Sequence, residues 1–159
     1  MYSASSAERV IDAPYVNARL DEAGSTLLAL PGSGFSSRLS SGSMDVVRNA
    51  IEAYGWTDMP IKPPVPSGRR IDAMDEALAW LRLIPQSSYV LRRIVGARMM
   101  VHPVTERHLF TWNRIAKSIG SDHKAVQRWH ASGIDLIVAG LHRQNNFENG
   151  FQHAQEMCH

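Results

Sequence analysis

The sequence predicts an all-α fold, a helical scaffold followed by a C-terminal helix-turn-helix. Apolar residues recur at steps of three and four in successive segments, the period of a helix with one buried face. No segment alternates apolar and polar residues for long enough to make a strand, and no internal repeat is present. Near the C-terminus Ala116 and Gly120 stand four apart between two amphipathic segments, the spacing of a sharp turn between closely crossing helices.

One helical domain is expected over residues 13–143, after a flexible N-terminus at 1–12 and before a polar C-terminal tail at 144–159. The first helix starts near Pro14, a favoured first-turn residue, with Asp12 as its cap. Val16, Leu20, Ala23, Leu27 and Leu30 make its apolar face, and Pro31 stops it. Residues 31–43 are rich in Gly and Ser and read as a flexible connection. They lack the Gly-Lys-Ser/Thr ending and the preceding strand of a phosphate-cradling loop. A second helix is expected from about Met44 to Tyr54, capped by Ser43 and ended by Gly55. Four prolines in residues 57–67 require an extended, polyproline-like strap, with Trp56 anchoring one end. A third helix is expected from Gly68 to Ile84, with Ile71, Met74, Leu78 and Leu81 inward. A fourth is expected from Ser88 to Val101, with Leu91, Ile94, Val95 and Arg98 in register.

The last two helices carry the functional signal. Thr111 caps a short helix whose inner face is Trp112, Ile115, Ala116 and Ile119. Gly120 supplies a left-handed turn at low cost, and Ser121 is expected to cap the next helix, with Asp122, which would repel phosphate, as an alternative cap or an acceptor from a cytosine amino group. That helix turns Val126, Trp129, Gly133, Ile137 and Leu141 inward and leaves Asp122, His123, Lys124, Gln127, Arg128 and His130 outward. Gln127 and Arg128 suit base edges, Arg forking onto guanine and Gln onto adenine. Lys124 suits a phosphate, and the backbone N–H groups near Ser121 can meet another. Arg114, Lys117, Arg92, Arg93, Arg98 and Arg107 are further phosphate candidates, each weighed against an ordinary solvated charge. The rival reading of the whole motif is a plain helical hairpin with a glycine turn.

Charge placement favours the DNA reading. Residues 1–91 hold eight Lys/Arg and ten Asp/Glu, whereas residues 92–144 hold nine Lys/Arg and only Glu106, Asp122 and Asp135. All seven histidines lie at or beyond His102. A basic C-terminal half fits a polyanionic partner, here double-stranded DNA.

Other chemistry finds little support. Asp72 and Glu76 share one helix face, but acids near a helix N-terminus are favoured by its dipole alone. No zinc-protease or nucleophile-elbow motif is present, so no enzyme is expected, and no cofactor or metal. His123 and His130 are seven apart, too far along a helix to share an ion. The single cysteine, Cys158, permits no internal disulfide and fits a reducing cytoplasm. No membrane span and no export signal is read from the chain, so no membrane partner is expected.

Three segments resemble a domain family of phage and prophage genes, largely of alphaproteobacteria. They are EAYGW at 52–56 with the prolines after it, IDAMDEALAWLRLI at 71–84, and WNRIAKSIGSDHKAVQRWHASGIDLI at 112–137. The resemblance spans about Leu20 to Leu141, and its C-terminal part is similar to the promoter-reading region of sigma factors. It implies DNA binding in the cytoplasm of a bacterial host and brings no catalytic residue. A phage or prophage transcription regulator is the first expectation. The DNA-recognition subunit of a packaging terminase and a protein-binding helical module are its rivals, and a homo-oligomer is compatible with each.

Overall fold

The structure, a computed structural model, describes residues 10–31 and 63–156, with side chains through residue 151. The expected helix at 44–54, the Trp56 anchor, the Gly/Ser connection and most of the flexible N-terminus lie outside the described residues. Among the described residues the protein is all-α. Its helices are α1 (Ala13–Ala29), α2 (Gly68–Trp80), α3 (Tyr89–Arg98), α4 (Trp112–Ile119) and α5 (His123–Glu156). The one β feature among them is an isolated antiparallel bridge between Val101 and His108.

The N-terminus of α1 forms as the sequence predicts. The Asp12 carboxylate accepts from the Tyr15 N–H at 2.9 Å, and Pro14 occupies the first turn. The helix ends because Pro31 forbids helical geometry to the residue before it, and Leu30 is extended at ψ 138°. Val16, Leu20, Ala23 and Leu27 are buried against α2, where Met74, Ala77, Leu78 and Trp80 face back. Arg19 fastens the pair at their edge. It lies 5.2 Å from the Trp80 ring centre and 2.9 Å from a Glu76 carboxylate oxygen. Glu76 is exposed to water and pairs with Arg19 there.

Three ends of α2 and α3 differ from expectation. Helix α2 stops at Trp80 and tightens into a 3-10 turn at Leu81–Leu83, with Ile84 extended ahead of Pro85. Helix α3 starts one residue later than expected and ends at Arg98 rather than Val101. There the chain doubles back: His102 N–H donates to Arg107 O at 2.8 Å, and Leu109 N–H donates to Met100 O at 2.9 Å. The reversal buries Met99, Met100 and Phe110. Burying each such side chain is worth about 1.5–3 kcal/mol, more than the final turn of a short helix.

Helix α5 is the spine, packing on α1, α3 and α4 and on the turn after α2. Gly133 makes its approach to α3 close, since a Cβ there would stand 2.8 Å from Val95 Cγ2. Residues 144–156, expected as an ill-ordered polar tail, continue α5 without a break. Extending an existing helix needs no new nucleus, and Gly150 alone costs only about 1 kcal/mol.

Candidate nucleic-acid interface

Helices α4 and α5 meet through a three-residue turn, Gly120-Ser121-Asp122. Thr111 caps α4, its hydroxyl accepting from the Arg114 N–H at 3.3 Å. Gly120 is left-handed at φ 74°, ψ 36°. Its N–H donates to Lys117 O at 3.3 Å, while Ser121 N–H reaches back to Ala116 O at 2.9 Å. This pair of bonds is a Schellman ending, which satisfies the last carbonyls of α4 and turns the chain sharply.

The start of α5 follows the alternative reading of Asp122 as its cap. Asp122, not Ser121, caps it: the Asp122 carboxylate accepts from the Lys124 N–H at 3.1 Å, and its carbonyl takes the first helical bond from Val126. Ser121 is half-buried and its N–H is spent on α4. The expectation that Ser121 caps the helix and offers an N–H to phosphate is corrected on that ground.

Ile115, Ala116 and Val126 are buried in the wedge between the two helices, as expected. His123, Lys124, Gln127 and Arg128 are exposed on the first turns of α5, and Arg114 and Lys117 are exposed on α4. On a helix, residues three and four apart are neighbours, so Lys124, Gln127 and Arg128 form one patch, as do Arg114 and Lys117. His123 Nδ1 lies 3.3 Å from Asp122 Oδ1, which draws it toward the cap. Arg114 stacks near Phe110, its guanidinium 5.5 Å from the ring centre.

Two neighbours exchange roles. His130, expected outward, turns in and meets the edge of Trp112 at 5.2 Å between ring centres. Trp129, expected inward, is 37% exposed. The buried face of α5 runs through Val126, Gly133, Ile134, Ile137 and Leu141. At about 100° per residue, position 130 lies near the middle of that arc and position 129 roughly a quarter-turn from that middle, beyond the arc's edge. Hydrophobicity alone favours an inward Trp129, and the helical phase decides otherwise.

Around His130 lies a polar cluster that the sequence did not announce. The Arg98 guanidinium sits 4.2 Å from the Trp112 ring centre and donates to Phe110 O at 3.0 Å. His108 Nδ1 lies 2.7 Å from Arg98 O, and its Nε2 is 3.9 Å from Asp21. Burial, then the charges of Arg98 and His108, pushes the His130 imidazole down to about 4. Burial likewise lowers the Arg98 guanidinium against the pull of Asp21, and raises the Asp21 carboxyl against His108 and Arg98. Arg98 is thus half-buried and engaged within the fold rather than free on its surface. Its only sequence signal was its place in the inward register of α3. Arg92 is also engaged, donating to Ile84 O and, at 3.0 Å, to Gln86. Arg93 and Arg107 remain exposed.

Among the described residues no group of His, Cys, Asp or Glu is arranged to hold a metal ion. No helix among them is long and apolar enough to cross a membrane. Residues 29–137, more than half of the chain, match the model of a family described as a domain of unknown function (DUF6362). No curated protein and no solved structure matches the chain.

Proposed function

The chain belongs to the DUF6362 family, and we propose that it binds double-stranded DNA through a helix-turn-helix formed by α4 and α5. One observation carries this reading. The wedge buries Ile115, Ala116 and Val126 and turns Lys124, Gln127 and Arg128 to solvent on the first turns of the second helix. That is the layout of a helix that lies in a major groove and reads base edges from its N-terminal turns. Arg128 forks onto guanine, Gln127 pairs with adenine, and Arg114, Lys117 and Lys124 hold phosphates. The exposed basic residues supply the long-range attraction. Transcription regulation in a phage or prophage is the setting implied by the resemblance of the three sequence segments.

Selection from a random duplex pool, followed by anisotropy titration of the winning sequence, tests the reading. Arg128→Ala weakens that complex by about 1–3 kcal/mol and relaxes one position of the site. Lys117→Ala weakens all sequences alike and lowers the salt slope by about one. No duplex binding at low salt by the folded chain overturns the reading and leaves a protein-binding module. Assembly into a large ring favours the packaging alternative over a regulator.

A further inference from the structure

The outward line of α5 does not stop at Arg128. At about 100° per residue, Lys124, Gln127, Arg128, Ala131 and Asp135 fall within one arc of about 100°, with Ala131 near its middle. All of them are exposed. Ala131 is the one apolar side chain among them, a turn beyond Gln127 and Arg128. Its neighbour Ser132 lies outside the arc and donates its hydroxyl to Arg128 O at 3.1 Å. The line closes soon after. Asp135 carries a charge that a phosphate repels, and Val138 is already packed against the core.

Resting on the reading of α5 as a helix that lies in a major groove, we infer that Ala131 reads a thymine. Gln127 and Arg128 stand on either side of the middle of the arc, so their long side chains reach outward to the flanking base edges. A residue no larger than alanine between them lets the backbone of α5 sit deep in the groove. Its methyl group neither donates nor accepts a hydrogen bond. Guanine, adenine and cytosine present donors and acceptors along the major groove, and thymine alone adds a methyl group there. Against the first three, Ala131 strips water from a polar base edge and offers no partner in exchange. Against thymine, methyl meets methyl and both leave water. Ala131 stands three residues beyond Arg128, about 4.5 Å along the helix axis, little more than one base step of about 3.4 Å. The thymine therefore lies within two base pairs of the guanine that Arg128 holds.

Deoxyuridine, placed at each thymine of the selected duplex in turn, tests the inference, because it removes the methyl group and nothing else. Anisotropy titration of the wild-type chain is expected to show about a four-fold loss of affinity at one thymine near the guanine, the worth of one buried methyl group. The Ala131→Ser chain, with an unchanged helical circular dichroism spectrum, is expected to lose nothing on the same replacement. Equal wild-type affinity for thymine and deoxyuridine at every such position overturns the inference. So does a selected site with no thymine within two base pairs of the guanine, or the same loss in Ala131→Ser as in the wild type. Each of these outcomes leaves duplex binding intact. Absence of duplex binding at low salt removes the DNA reading and this inference together, so the two failures are told apart.

Discussion

His130 sits where three elements meet, touching Trp112 of α4 and feeling Arg98 of α3 and His108 of the loop between them. Its imidazole is held neutral in the folded protein, with a pKa of about 4 against about 6.5 in an unfolded chain. Between those two values the unfolded chain binds the proton and the folded chain does not. The stability this residue contributes is therefore complete above about pH 6.5 and is lost as the pH falls toward 4, a loss on the order of 2–3 kcal/mol. Urea denaturation at stepped pH should show this decline for the wild-type chain and a shallower one for His130→Phe, which keeps an aromatic ring but cannot titrate. Equal slopes would remove His130 from the account. Arg98, beside it, illustrates why a count of cations is a poor guide to phosphate contacts. A guanidinium that donates to Phe110 O and stacks on Trp112 already has partners within the fold.

The turn between α4 and α5 is controlled by three consecutive residues with separate tasks. Gly120 adopts the left-handed conformation, Ser121 returns its N–H to α4, and Asp122 opens α5. Asp122→Ala should cost about 1 kcal/mol of stability, the usual loss for a helix cap. Ser121→Ala should cost much less, because its role lies in the backbone. Thermal denaturation of the two variants distinguishes them, and the reverse order would restore Ser121 as the cap. The same turn exposes Lys124, Gln127 and Arg128 by carrying α5 away from the axis of α4, so a fault in the cap is expected to reach the proposed DNA surface as well as the fold.

At the scale of the whole molecule, α5 carries both the fold and the proposed DNA surface. Its 34 residues span about 50 Å at 1.5 Å per residue, and it packs on α1, α3, α4 and the turn after α2. The number of half-sites recovered by selection reads the number of readers: an unpaired site fits a monomeric reader, and inverted half-sites fit a two-fold pair.

The starts of α1, α2, α3 and α4 to within a residue, the Asp12 and Thr111 caps, the stop before Pro31 and the break at Gly120 were legible in the sequence, because each is set by residues within a turn or two along the chain. The inward placement of Ile115, Ala116 and Val126 was legible for the same reason. The inward His130 and outward Trp129 follow from the helical phase that Val126, Gly133, Ile137 and Leu141 set, a signal present in the sequence that the hydrophobicity of Trp129 overrode. The capture of Arg98 depends on a ring fourteen positions later in the chain, and the pairing of His108 with Asp21 joins residues on opposite sides of the proline-rich stretch. Only the tertiary structure decides such contacts, since local backbone preference says where a side chain starts but not which distant surface it meets.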